Sequence, residues 1–288
     1  MDTGYGNDLS GQLAGRCFLI TGSTQGLGEA TARLFAARGA QGLLISGRDS
    51  QRGAAVADAL AKSGCAAHFV PADLVDVAQA RALVAEAEKR FGTLHGVVNC
   101  AASTDRGSLL DATPDAYDRM FAINTRAPFF IMQAAARIMV RDGIAGTMVN
   151  ICSVSAYGGQ SFLSTYSASK AALVVMTRNA AFSLLRNRIR ANVLNVGWMD
   201  TPGEHAIQRR FHGAPDDWLV AVERREPYGR LVKPDEVARA AAYLSSEESG
   251  LMSGAVIDLD QGVIGCGDGR TPQPDAPAVW PVPDPGVK

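Results

Sequence analysis

Seven short apolar runs, separated by longer stretches rich in alanine and charged residues, constrain the fold of this chain most. The runs are Cys17–Thr21, Gly42–Ser46, Ala66–Val70, Leu94–Val98, Thr147–Ile151, Ile189–Asn195 and Ala255–Leu259. Each is nearly continuous in apolar character instead of alternating, the pattern of strands covered on both faces. The stretches between them are long enough for helices: Leu27–Arg38, Ser50–Ser63, Val77–Phe91, Pro114–Val140, Ser164–Asn187 and Pro234–Ser246. Strands joined by helices pair in parallel, through right-handed crossovers. The alternation predicts an α/β fold: a doubly wound parallel sheet of about seven strands with helices on both faces. No linker divides residues 15–262, so they are read as a single domain.

The two ends differ from this body. Residues 1–14 are glycine-rich and poor in apolar side chains, and are read as a flexible leader. Residues 263–288 hold six of the thirteen prolines, a composition that makes neither helix nor central strand. Two readings stand for this tail: a disordered segment, or an arm laid along the body or a neighbouring subunit and anchored by Val279 and Trp280. Lys and Arg number 28 and Asp and Glu 29, so 28 − 29 leaves a net charge of −1. A chain so close to neutral has no electrostatic hold on a polyanion, which argues against nucleic acid as a partner. No run approaches the roughly 18 apolar residues of a membrane span, and Met1–Gln12 lacks the basic start of a signal peptide. The five cysteines form no Cys-x-x-Cys pair and the histidines no His-Glu-x-x-His pattern. Free thiols in a reducing, cytoplasmic compartment and no bound metal are the expectation.

Thr21-Gly22-Ser23-Thr24-Gln25-Gly26-Leu27-Gly28 follows the first strand and opens the first helix. Gly22 can turn sharply off the strand, Gly26 lets the backbone approach a pyrophosphate, and Gly28 lets the helix pack on the sheet. Residues 22–28 thus form a candidate phosphate cradle at a helix N-terminus. No Gly-Lys-Ser/Thr follows, which excludes a nucleoside-triphosphate loop.

Tyr166-Ser167-Ala168-Ser169-Lys170 opens another predicted helix. Residues i and i+4 share a helix face, which brings the Lys170 ammonium beside the Tyr166 phenol. A free phenol titrates at about 10 and is a poor base at neutrality, but a neighbouring cation favours the phenolate. Such a couple can move a proton to or from a substrate oxygen. With Gly-x-x-x-Gly-x-Gly upstream, residues 15–262 resemble the ordinary branch of the short-chain dehydrogenase/reductase family. The resemblance implies a Rossmann-type fold and NAD(P)(H)-dependent interconversion of a secondary alcohol and a ketone, with Tyr166 as acid/base. It implies that Ser153 hydrogen-bonds the substrate oxygen and that Asn124 holds a water linking Lys170 to solvent. Tyr166 and Lys170 would also touch the cofactor. Asp73 and Leu74 fall where the family contacts adenine, Asn99 follows the fourth strand, and Gly197, Met199 and Thr201 fall where it binds the nicotinamide carboxamide. Ala102, Val196 and Gln261 depart from the family pattern. A homotetramer, paired through the two longest helices, is implied as well. Enoyl reductases of this fold have a longer Tyr-to-Lys spacing, and epimerases a longer chain. A non-catalytic dinucleotide-binding redox sensor is the alternative, against which the complete tetrad argues.

The second strand ends in Ser46-Gly47-Arg48-Asp49. NAD-preferring members carry a carboxylate at the position of Gly47. Its loss, with Arg48 free to pair with a 2′-phosphate, favours NADP over NAD. Against this, Gln25 lacks the positive charge of another NADP pattern, and Asp49 can turn back to the ribose. Residues 198–228 are read as a lid whose aromatic residues pack it and whose histidines are solvated. Ser103, Thr104, Arg106, Ser155, Tyr157 and Gln160 make a polar wall suited to a small polyol or sugar-like compound.

Overall fold

The computed structural model describes residues 9–266. Its strands are β1 (Cys17–Thr21), β2 (Gly42–Gly47), β3 (Ala66–Pro71), β4 (Gly96–Asn99), β5 (Thr147–Ser153), β6 (Arg190–Val196) and β7 (Val256–Leu259). Its helices are α1 (Gly26–Ala37), α2 (Ser50–Lys62), α3 (Val77–Phe91), α4 (Pro114–Phe121), α5 (Ala127–Arg141), α6 (Ser164–Leu184), α7 (Pro202–His212), α8 (Trp218–Glu223) and α9 (Pro234–Ser245). The strands form one parallel sheet in the order β3-β2-β1-β4-β5-β6-β7. The chain winds outward from β1 to β3, crosses back to β4 and winds the other way. That reversal opens a crevice at the carboxyl ends of β1 and β4, where open α/β sheets bind ligands.

Successive side chains along each strand serve opposite faces. Phe18, Ile20, Leu43 and Ile45 pack with Phe35 of α1, Leu60 of α2 and Val237 of α9. Leu19, Leu44 and Val97 pack with Leu83 of α3, Ile131 of α5 and Leu173 of α6. The central strands β1, β4 and β5 are buried throughout. The outer strands β3 and β7 are not, because each has one strand neighbour and an open edge.

The structure also departs from the sequence reading in the loops and at the ends. The stretch Pro114–Val140, read as one helix, is interrupted by a turn of π-helix at Ala122–Arg126. Residues 198–228, expected to form a lid, contain two helices, α7 and α8, in a stretch whose polar residues mask helical periodicity. Residues 9–14 are not loose: Leu13 is fully buried, Gln12 Nε2 donates to Glu248 Oε2 at 2.6 Å, and Ala14 bridges to Ala40. Residues 1–8 and 267–288, the latter with Val279 and Trp280, lie outside the described residues. Among the described residues no helix is long and apolar enough to cross a membrane.

Candidate active site

The carboxyl ends of β1, β2, β4, β5 and β6 open into one cleft of about 1960 Å³. That is about twice the upper range for a pocket holding one small molecule, and gives room for a dinucleotide beside a substrate. At one end stands the turn from β1 into α1. Gly26 has a φ of +56°, a conformation that favours glycine. A Cβ on Gly28 would lie 2.2 Å from the Gly22 carbonyl oxygen, so only glycine allows α1 to start this close to β1. The N-cap residue Gln25 places no side chain on the first turn of α1; its amide oxygen accepts a hydrogen bond from Arg52 instead. The first N–H groups of α1 thus stand uncapped at the cleft wall, which fits the pyrophosphate of a dinucleotide.

Gly22, Thr24, Gln25, Gly26, Leu27 and Gly28 all line the cleft. Ser23 does not. It is fully buried, and its hydroxyl donates to the Ile20 carbonyl (2.7 Å) and accepts the Ser46 N–H (2.9 Å), tying the loop to β2. Arg48, Asp73 and Leu74 line the end of the cleft beside β2 and β3, where the sequence reading expects adenosine, and Gly197, Met199 and Thr201 line the end beside β6. Arg48 is exposed and makes no hydrogen bond or ion pair within the described residues. Asp49 does not turn to the ribose. It caps α2, accepting the Arg52 N–H at 2.9 Å and the Arg52 Nε–H at 2.8 Å, and these bonds hold its carboxyl below the usual range. The Thr201 hydroxyl accepts the Glu204 N–H at 3.1 Å as the cap of α7, which leaves its own proton to donate. Asn99 lies beneath the cleft, its Nδ2 donating to Asn150 Oδ1 at 2.8 Å.

Ser153, at the end of β5, and Tyr166 and Lys170, on the first turns of α6, share one wall of the cleft. Burial pushes the Tyr166 phenol up to about 12, against which a hydrogen bond from Ser153 and the charge of Arg106 pull downward. This differs from the simple i, i+4 expectation. The Lys170 ammonium lies over the ring, 5.8 Å from its centre, and donates to the Ile151 carbonyl at 2.8 Å. It stands against the face of the phenol, and desolvation outweighs the charges around the hydroxyl. Lys170 is itself buried, which lowers its pKa.

Asn124 does not line the cleft. The π-helical turn directs it inward, where Oδ1 accepts the Ser103 N–H (2.8 Å) and Nδ2 donates to the Ser103 carbonyl (2.9 Å) and to Ser169 Oγ (3.0 Å). It therefore joins the loop after β4 to the residue preceding Lys170. Helical turns of this kind recur at functional sites.

Next to Ser153 and Tyr166 the cleft is lined by Ser103, Thr104, Arg106, Ser155, Gln160 and Phe162, and by Trp198, Glu204, Gln208 and His212. Tyr157 turns away to Asp258, 3.1 Å from Oδ1. The lid histidines are bonded rather than solvated: His205 Nε2 lies 2.9 Å from Asp200 Oδ1, and His212 Nε2 accepts the Arg106 Nε–H at 3.1 Å. Trp198 and Trp218 stack with ring centres 5.8 Å apart. The sequence reading passes over Arg52, Phe162, Glu204 and Gln208. Glu204 was detectable, because Thr201-x-x-Glu204 has the pattern of a helix capping box.

The family model described as enoyl-(acyl carrier protein) reductase matches residues 22–264. Galactitol 2-dehydrogenase of Agrobacterium fabrum is 32% identical over 257 residues, covering 87% of this chain and 98% of that one. Cis-4-hydroxycyclohexanecarboxylate dehydrogenase of Sinomonas cyclohexanicum is 34% identical over 251 residues, covering 87% and 97%. Among solved structures, a short-chain type dehydrogenase/reductase from Mycobacterium ulcerans superposes with a TM-score of 0.78 at 27% identity, covering 87% of this chain and 90% of that one. Fold, glycine turn and relatives agree, and the chain belongs to the short-chain dehydrogenase/reductase family, as an NAD(P)-dependent oxidoreductase acting on CH–OH groups.

Proposed function

We propose that this enzyme interconverts a small polar secondary alcohol, of polyol or sugar-like character, and its ketone, with NADP(H) preferred over NAD(H). The observation that carries this reading is the convergence of Ser153, Tyr166 and Lys170 on one wall of a cleft that also holds the uncapped N-terminus of α1. A nicotinamide dinucleotide bound along the cleft supplies the hydride acceptor or donor.

The chain's own residues supply the rest. The Ser153 hydroxyl holds the substrate oxygen toward Tyr166. In oxidation the Tyr166 phenolate takes the hydroxyl proton as the carbonyl forms, and in reduction the phenol returns it. Lys170 provides a buried positive charge against the ring that favours the phenolate, and Asn124 is a positioning residue that fixes α6 at Ser169. The polar wall supports a hydroxylated substrate, as does the name of the galactitol dehydrogenase relative. Arg48 supports NADP, because it is exposed at the cleft with no partner among the described residues, while Asp49 is engaged by Arg52. The test is a panel of polyols and ketones assayed with each cofactor by the absorbance of reduced nicotinamide. Turnover with NADP(H) exceeding that with NAD(H) is the expected result, and turnover of no alcohol or ketone with either cofactor contradicts it.

A further inference from the structure

Resting on the dehydrogenase reading, we infer that the alcohol carries a carboxylate and that Arg106 is the residue that binds it. Arg106 lines the cleft, yet its side chain is only 15% exposed. Its Nε–H donates to His212 Nε2 at 3.1 Å and one terminal nitrogen donates to the Thr104 carbonyl at 3.0 Å. Neither partner carries negative charge, since a His212 nitrogen that accepts a hydrogen bond belongs to a neutral ring. Burial and the Arg106 charge also disfavour protonation of His212.

The other terminal nitrogen donates no hydrogen bond within the described residues. Its nearest carboxylate oxygen, Glu204 Oε1, is 3.7 Å away and already accepts from Trp198 Nε1 (2.9 Å) and Gln208 Nε2 (2.7 Å). The long ion pair to Glu204 leaves this half-fork of a guanidinium far out of water without a close, hydrogen-bonded anion, and its planar geometry matches a carboxylate.

Its position ties that anion to the reacting oxygen. The neighbouring Gly107 N–H donates to the Phe162 carbonyl (2.9 Å), and the Gly107 carbonyl accepts the Ser164 N–H (3.1 Å) at the start of α6. The loop that carries Arg106 is thereby stitched to the turn that presents Tyr166. The Phe162 ring lies under the guanidinium, 5.4 Å from its centre, and fixes its plane. Arg106 and Tyr166 are close enough for each charge to bias the other. A carboxylate placed a few bonds from a secondary hydroxyl would meet Arg106 while the hydroxyl meets Tyr166. An alditol offers no charge to that edge.

Two matched pairs of probes test this: gluconate against sorbitol, and 4-hydroxycyclohexanecarboxylate against its carboxamide. Binding to the protein with cofactor is read from intrinsic tryptophan fluorescence, to which Trp198 at the cleft contributes, and kcat/KM is measured alongside. The wild type should prefer the acid in at least one pair. Arg106→Gln should lower the acid-to-neutral ratio of affinities by about ten- to a hundredfold. Glu204→Gln, which removes the competing carboxylate, should raise that ratio, an opposite change that loss of folding does not produce. Ratios within twofold of wild type in Arg106→Gln, tighter binding of the neutral member in both pairs, or no binding of either acid would overturn the inference. Acid binding that depends on Arg106, with no hydride transfer to either cofactor from any alcohol, would instead overturn the dehydrogenase reading.

Discussion

The Tyr166 phenol is buried, bonded to Ser153, with the Lys170 ammonium over its ring. The Tyr-x-x-x-Lys spacing places a cation beside the phenol, but burial pushes that phenol up to about 12. The pH dependence follows from the sign. Oxidation needs the phenolate, which below the pKa grows about tenfold per pH unit. The kcat/KM for alcohol oxidation should therefore rise steadily from neutral into alkaline solution, while that for ketone reduction, which uses the protonated phenol, stays level; a flat oxidation profile would show that Tyr166 is not the base. Beside β2, Arg48→Ala should weaken NADP(H) by roughly ten- to a hundredfold and NAD(H) far less. Fluorescence titration of both cofactors without substrate checks this, and equal losses would assign Arg48 to the loop alone. Gly47→Asp is a poorer probe, because a Cβ at Gly47 would sit 2.6 Å from the Thr24 methyl and disturb the phosphate turn. The glycine turn was legible from its place between β1 and α1, Tyr166 and Lys170 from their i, i+4 spacing, and Ser153 only through the family resemblance. Asp49 was not, because its carboxylate has two competing uses and only the fold shows Arg52 claiming it.

At the scale of elements, the π-helical turn at Ala122–Arg126 is what the sequence conceals. Phe121-Ala122-Ile123-Asn124-Thr125 reads as continuous helix, since nothing in composition marks one extra residue in a turn. The turn buries both Asn124 and Thr125, and Thr125 Oγ1 donates to the Ser169 carbonyl at 2.9 Å. Two neighbouring polar side chains thus clamp α6 where it carries Lys170. Asn124→Ala strands the Ser103 N–H and carbonyl and leaves the Ser169 hydroxyl only its bond to the Tyr166 carbonyl. It should cost about 1–3 kcal/mol in chemical denaturation, and it should lower kcat more than it raises KM. Unchanged kcat would remove Asn124 from the positioning of Lys170. The seven strands were legible for the opposite reason: their apolar runs admit no other use. The lid helices were not, since α7 carries Glu204, His205, Arg209, Arg210 and His212, and its stability rests on the Thr201 cap and contacts beyond its own sequence.

At the scale of the whole molecule, the order β3-β2-β1-β4-β5-β6-β7 explains why residues from position 22 to position 262 meet in one cleft. Parallel strands deliver all their carboxyl ends to one side, and the reversal between β1 and β4 parts the helices there. The outer surface carries a further expectation. On α6, Val175 and Phe182 are seven residues apart on one face and 59% and 79% exposed, and Phe129 and Val140 of α5 are also exposed. Apolar surface of this kind is characteristic of subunit contacts. Light scattering should give about four times the 30.3 kDa chain mass, and Val175→Glu with Phe182→Glu should lower it. A monomeric mass for the wild type would contradict the tetramer.

The central claim is that Tyr166 moves the proton in an NAD(P)-linked oxidation of a secondary alcohol. Its most direct test compares the wild type with Tyr166→Phe, by reduced-nicotinamide absorbance on an alcohol the wild type turns over, with cofactor affinity measured on the same samples. The account predicts a fall in turnover of about 10²–10⁴-fold with cofactor affinity nearly intact, because only the proton-transfer group is lost. Turnover at the wild-type rate in Tyr166→Phe, with the protein folded and cofactor bound, would contradict it.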